Sequence, residues 1–244
     1  MSRLIALMIA IAALASAAVC AQPISEQDLK TRVGAVTKDF SDLTGTVTVK
    51  EKNKAALTKV DESYARLYDF QTATLSLKAP DKIRLESKLG MVKVEYIIAG
   101  GKKIFRASKY RQTNDYSNDP AKLQTPLDMG LVTLQLWENR KVEVVDDADA
   151  QAKGEIKLKL TWAKGDMVNY AWLDATNLWL KAFEKRDSRG GLMARVVYSS
   201  PVNAGGVIWI PTRVELYAPD GTKAGATELS DVKVNTNLPD KLFQ

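Results

Sequence analysis

Apolar and polar residues alternate with a period of two through most of this chain, in runs too short for anything but β-strands. TGTVTVKEK, TATLSLKA, DKIRLES, MVKVEYIIA and KKIFRAS follow one another up to about residue 116, separated by turn residues such as Ala79-Pro80-Asp81 and Gly100-Gly101. After an acidic loop, VVDDADAQAKG, the pattern resumes as EIKLKLTWA, DMVNYAWLD, LWLKAFEKRD, GLMARVVYSS, GVIWIPTRVELYAP and GATELSDVKV. Consecutive strands with short turns between them predict an antiparallel sheet of about eleven strands, in a mainly β chain with a few helices.

The alternation also predicts a sheet with one apolar and one wet face. In the fourth run Val92, Val94, Tyr96 and Ile98 point one way while Lys93 and Glu95 point the other. Later, Ile156, Leu158, Leu160 and Trp162 alternate with Lys157, Lys159 and Thr161. Arg84, between Ile83 and Leu85, is expected on the wet side.

Two stretches break the period. Ser25 and Asp28 have capping-box spacing, and Leu29, Val33, Val36 and Phe40 then form one stripe, which predicts an amphipathic helix over 25–40. Thr125, Pro126 and Asp128 open a second helical pattern over about 126–138. There Leu127, Leu131 and Leu134 share a face while Met129, Val132, Leu136 and Trp137 cover the others, so this helix is expected between two apolar surfaces.

A sheet this long must curl, and two helices fill its concave side only in part. The expectation is an incomplete barrel around an apolar cavity. Candidates for its lining are Val92, Val94, Tyr96, Ile98, Ile104, Leu131, Leu134, Trp137, Leu158, Leu160 and Trp162, with Met91, Phe105, Trp172, Trp179 and Trp209 behind them. At 244 residues, 45% apolar and 26% charged, the chain can bury such a core without staples.

The first residues, MSRLIALMIAIAALASAAVCAQP, have one arginine, an apolar run too short to span a membrane, and then small residues. That layout predicts a signal peptide over 1–21, cleaved after Ala21, and a single domain over 22–244 exported to the periplasm. The alternative is a lipid anchor on Cys20, for which Ala17 and Val19 are poor neighbours. Loss of Arg3 takes the formal charge from +6 to +5, carried by scattered lysines and arginines.

Composition removes much chemistry. The chain has no histidine and one cysteine, Cys20 in the signal, so thiolate and histidine nucleophile systems and zinc sites built on these residues are excluded from the mature protein. Asp146, Asp147 and Asp149 lack the remainder of a calcium loop. Ser230 and Lys233 match S-x-x-K, but on a strand residues three apart face opposite ways. No phosphate-cradling glycine loop and no basic-aromatic nucleic-acid pattern is present. Neither an enzyme nor a metal or cofactor is expected, nor a nucleic-acid partner.

In order and spacing, DLKTRV with Phe40, LTGTVTVKEKN, KAPDKIRLES, AGGKKIFRAS, the Thr125-Pro126 start and VKVNTNLPDKLF resemble the LolA/LolB-like outer-membrane lipoprotein-sorting family, from about residue 26 to the end. The resemblance implies a half-closed barrel of about eleven strands lidded by helices. It also implies a monomeric carrier whose cavity takes lipoprotein acyl chains or other lipids from an inner-membrane transporter to an outer-membrane receptor. Related members of that fold serve as lipid-sensing or regulatory modules; a periplasmic hydrolase is a more distant reading. Where the family's best-studied members carry a lid-latching arginine before the proline, this chain has Ala79, with Lys78 one residue further back.

Overall fold

The computed structural model of this protein describes residues 24–62, 65, 68–163 and 167–244. The segment 1–21 expected to be a signal peptide, with Cys20, lies outside the described residues. Thirteen antiparallel strands form one sheet. They are β1 (Asp42–Lys52), β2 (Thr72–Lys78), β3 (Lys82–Leu89), β4 (Val92–Ala99), β5 (Lys102–Ala107), β6 (Tyr110–Asp115), β7 (Arg140–Val145), β8 (Glu155–Trp162), β9 (Val168–Asp174), β10 (Leu180–Arg186), β11 (Leu192–Ala204), β12 (Ile208–Tyr217) and β13 (Lys223–Val234).

The spatial order is β6-β5-β4-β3-β2-β1-β13-β12-β11-β10-β9-β8-β7, so the first and last strands meet at the centre, with Leu43 opposite Val234 and Val47 opposite Leu229. β6 and β7 are the two edges, and the barrel stays incomplete. They are also the two strands beyond the expected eleven. YRQTND has almost no apolar residue to alternate, because nearly all of β6 faces solvent. RKVEVV in β7 runs directly into the acidic loop, where the short helix Ala148–Ala152 is capped by Asp147.

Helix α1 (Glu26–Thr37) starts where the capping residues place it, the Ser25 side chain accepting from the Asp28 amide. Leu29 and Val33 are wholly buried, and Arg32 donates to the Ala175 carbonyl at 2.7 Å, fixing the helix to the β9–β10 turn. Val36 stays exposed, so the stripe that reaches the core is narrower than the sequence pattern. A second helix, α2 (Lys54–Val60), capped by Asn53, packs Ala56 and Leu57 into the same core.

The helix expected over 126–138 is not formed. Residues 116–139 connect the two edges of the sheet as three 3₁₀ turns, Pro120–Lys122, Pro126–Met129 and Leu134–Trp137. The Thr125–Asp128 capping box is present, but Gly130 takes φ +87°, and a side chain there would collide with Pro211 and press on Tyr198. The turn therefore passes close against β12 and β11, and the left-handed glycine ends it after one turn. Leu127, Leu131, Val132 and Leu136 of this segment are buried, whereas Leu134 is exposed, so the segment is not covered on every apolar side.

The concave side holds two apolar clusters. The larger joins Leu29 and Val33 of α1 to Leu57, Leu136, Leu158, Leu160, Leu173, Leu180 and Phe183. The other joins Leu43, Leu75, Leu77, Ile83, Ile98 and Leu131. A third, small core lies on the opposite, convex face, where Phe243 of the C-terminal turn (Asp240–Phe243) covers Ile97 and Ile104. The convex face is therefore not wholly wet, which accounts for the two adjacent isoleucines in YIIA that break the alternation.

Polar contacts fasten that C-terminal segment. Lys78 reaches the Leu238 carbonyl at 2.8 Å and Asp240 at 2.7 Å, and Lys82 reaches Asp240 at 2.9 Å. Arg106 donates to the Gln244 carbonyl. Nearby, Arg84 is ion-paired with Glu86 and Glu95 and is mostly covered, rather than solvated as a strand arginine on a wet face would be.

Burial would raise the Glu95 carboxyl, but bonds from Lys93 and Arg84 outweigh it and hold the pKa at about 2. A depressed folded pKa adds stability above the ordinary carboxylate value that is lost as pH falls toward the folded one. Denaturant titrations at stepwise lower pH should therefore show Glu95→Gln losing less stability on acidification, from ordinary carboxylate pKa values downward, than the parent. Equal losses would mean this cluster is not held in solution.

Candidate functional site

Between the two concave clusters the packing leaves a cavity of about 200 Å³. Its walls come from alternate residues of strands that curl around it. β1 gives Val47 and Val49, β2 gives Ala73 and Leu75, and β3 and β4 give Leu85 and Tyr96. Phe183, Val196, Val214, Leu216 and Leu229 close the other side. Registry puts these side by side: Leu75 lies opposite Leu85, Leu85 opposite Tyr96, and Val47 opposite both Ala73 and Leu229. Met129 from the 3₁₀ segment and Tyr68 and Phe70 from the connection before β2 complete the lining. Tyr68 can lie there because β13 has Gly225 beneath it; any side chain at that position would run into the ring.

One end of the cavity is polar. The Tyr96 hydroxyl donates to Gln124 Oε1 at 2.5 Å, and the Tyr198 hydroxyl faces the Asp128 carbonyl at 3.4 Å. Asp128 is mostly buried. Its carboxylate takes the Lys185 ammonium at 2.5 Å on one oxygen and the Thr125 amide at 2.8 Å on the other. Burial alone would raise that carboxyl, but the Lys185 and Arg140 charges and the Thr125 amide hold it below the ordinary range. Arg140 lies behind, its guanidinium 4.1 Å from the centre of the Trp162 ring and 3.3 Å from the Thr125 hydroxyl. Burial pulls Arg140 down despite Asp128, and its Nε is without a partner.

The residues expected from the sequence fall into several places. Tyr96 is in the cavity wall. Val94 and Ile98 are buried on the same concave face, Ile98 in the smaller cluster beside Leu131. Leu158 and Leu160 are in the packed core under α1, with Trp137 against it. Trp162 is covered by Arg140. Val92 is 41% exposed at the tip of the β3–β4 hairpin, and Ile104 is on the convex face under Phe243. Leu134 is 44% exposed and lines a separate hollow with Gly34, Phe40, Ala79 and Pro80. Trp172 is also outside, under Lys157 and Arg195.

Ala79 thus sits away from the main cavity, and Lys78, one residue back, points to the convex face and holds the C-terminal segment. This is the face change that a one-residue shift along a strand requires.

Val47, Val49, Leu75, Leu85, Phe183, Val196, Val214 and Leu229 were not singled out beforehand. Their alternation was visible in TVTVK, TLSLK and RVELY. Nothing in one strand says which inward residue faces packed neighbours and which faces a void.

No protein-family model and no curated protein matches the sequence. Solved structures do match. A domain from Vibrio parahaemolyticus described as outer membrane lipoprotein-sorting superposes with a TM-score of 0.59 at 11% identity, over 89% of this chain and 95% of that one. A LolA superfamily protein from Nitrosomonas europaea gives 0.59 at 13% identity, over 91% and 98%. A DUF1329 family protein from Desulfovibrio piger gives 0.51 at 13%, over 89% and 95%. At these identities the likeness is one of architecture, and it extends over nearly all of the described chain. This protein has the LolA-like fold, an incomplete antiparallel barrel around an apolar hollow.

Proposed function

We propose that this protein is an exported, monomeric carrier of acylated molecules, binding their chains in the concave cavity and moving them across the periplasm. The observation that carries the reading is the cavity itself, apolar along most of its wall and bounded by Tyr68, Phe70 and Met129 from segments outside the strand ladders. Its fold is that of proteins named for outer-membrane lipoprotein sorting, which favours lipoprotein acyl chains as cargo, an inner-membrane transporter as donor and an outer-membrane receptor as acceptor. Binding rather than catalysis fits a cavity whose buried polar groups are engaged in an ion pair and a capping box.

The volume of about 200 Å³ is below the roughly 300–1,000 Å³ of a typical ligand pocket, so a whole chain enters only as part of the wall moves outward. Tyr96, together with Val47, Leu75 and Leu85, contacts the chain in this reading.

A fluorescent acyl ester tests it directly. Val47→Trp fills the cavity and is expected to weaken binding by at least about tenfold, while Val202→Trp, on an exposed part of β11, leaves it unchanged. Equal binding by a folded Val47→Trp would remove the cavity as the site. Mass spectrometry of lipids carried by protein taken from its native periplasm then names the cargo.

A further inference from the structure

Among the described residues, the polar end of the cavity holds more positive than negative charge. Lys103 lies on the concave side of β5, opposite Ile98, half-buried, with its ammonium 5.7 Å from the centre of the Tyr96 ring and 5.6 Å from that of Tyr116. Lys103 does not itself line the cavity, but Tyr96 does, and through that ring the ammonium adjoins the end where Gln124, Asp128 and Lys185 gather. Among the described residues no carboxylate is within ion-pair distance of it. Burial pulls this lysine below its ordinary value, with Lys185 acting in the same direction and Asp61 and Asp128 against it.

The carboxylate in the cavity wall is already committed. Asp128 has one oxygen on Lys185 and the other on Thr125, and it is also the carboxylate that offsets buried Arg140. Among the described residues, Lys103, Lys185 and Arg140 therefore share the field of Asp61 and Asp128, of which Asp61 acts the more strongly on Lys103. The two tyrosine faces attract the half-buried ammonium and offset part of its desolvation, but they leave its charge without a counter-ion in contact.

We propose that the polar end of the cavity is an anion subsite, in which Lys103 pairs with the carboxylate or phosphate of an amphiphile whose chain lies along Val47, Leu75 and Leu85. This rests on the acyl-binding reading above and sharpens it. The preferred ligand is a singly charged or phosphate-bearing lipid with its head turned inward, rather than a neutral acyl ester. Tyr96 and Gln124 flank the head, and the Asp128–Lys185 pair sets the limit of how deep it enters.

The test is competition against one fluorescent acyl ester, using a long-chain fatty acid, its methyl ester, lysophosphatidic acid and monoacylglycerol. The parent should bind the fatty acid about tenfold more tightly than its methyl ester, or lysophosphatidic acid more tightly than monoacylglycerol by a similar factor. Whichever pair shows the larger ratio identifies the source of the head group. Lys103→Gln should abolish the preference and leave ester binding unchanged, and Lys103→Arg should keep it. In the parent, raising ionic strength should weaken the charged ligand alone, a readout that needs no variant. Equal affinity of charged and neutral members of both pairs overturns the subsite and leaves the carrier standing, as does a preference that survives in folded Lys103→Gln. Failure of the parent to bind any of the four lipids overturns both.

Discussion

Leu158→Ala is expected to lower the free energy of unfolding by about 3 kcal/mol and to leave acyl-probe affinity of the folded protein unchanged. Leu158 has no exposed surface and packs in the cluster that joins α1 to β8, β9 and β10, with Leu29, Val33, Leu160 and Leu173. Truncation removes buried methyl groups and leaves a hole whose walls are helix α1 and the β7–β8–β9 ladder, which relax little, so the transfer and cavity costs add. Urea denaturation should show a lower midpoint with the slope unchanged. Its neighbour across the ladder, Ala171, has no bulk with which to refill the space. Because Leu158 is not in the cavity wall, affinity measured well below the melting transition should match the parent. A loss of affinity of the same size as the loss of stability would mean that the region under α1 opens to ligand and that the cavity extends further than its walls now reach.

Asp42→Ala is expected to cost a similar amount, about 3 kcal/mol, by a different route. The carboxylate is almost wholly buried at the start of β1 and accepts from the Thr236 amide at 2.7 Å, the Thr236 hydroxyl at 2.8 Å, the Leu238 amide at 3.3 Å and the Ser41 hydroxyl at 3.1 Å. It is thus the junction from which the chain leaves β13 and crosses to the convex face, where Phe243 covers Ile97 and Ile104. Alanine strands the amide donors as well as removing the bonds. Limited proteolysis of the variant should begin in the C-terminal segment, before the sheet.

The sign of its pH dependence follows from the same contacts. Burial pushes the Asp42 carboxyl up, but the Thr236, Leu238 and Ser41 donors outweigh it and the net shift is downward. Stability from a depressed carboxylate is complete above the unfolded value and is lost as pH falls through the folded one. The difference between parent and Asp42→Ala should accordingly be largest near neutral pH and shrink in acid below the ordinary aspartate range. A difference that is independent of pH would assign the effect to packing instead of to the charged acceptor.

The strands inside the sheet were legible because their inward and outward residues alternate, and α1 because Ser25 and Asp28 mark its start. The edges were less so. β6 has water on nearly every side, so nothing selects apolar residues at every second position, and its place in the sheet rests on hydrogen bonds to β5 that any residue can make. The segment over 126–138 misled for the opposite reason. Apolar residues at helical spacing serve equally for two 3₁₀ turns, and the contact of Gly130 with Pro211, more than eighty positions away in sequence, decides between them.

By itself the sequence determined the class of the fold, the presence of a one-sided apolar surface in excess of what two helices cover, and the absence of histidine from the whole chain and of cysteine after Cys20. These depend on local period and on composition, which are properties of short stretches. Only the tertiary structure decided which apolar residues border a cavity. Tyr96 and Leu158 look alike along their strands, yet one meets a void and the other meets α1, because the curl of the sheet brings β1 to β4 opposite β10 to β13 at a distance that side chains only partly fill. The same folding placed Ile104 beneath the C-terminal turn, turned Lys78 to the outer face, and set Lys103 beside Tyr96 and Tyr116. Contacts across such separations follow from the register of strands far apart in the chain, and a single strand contains no record of its opposite wall.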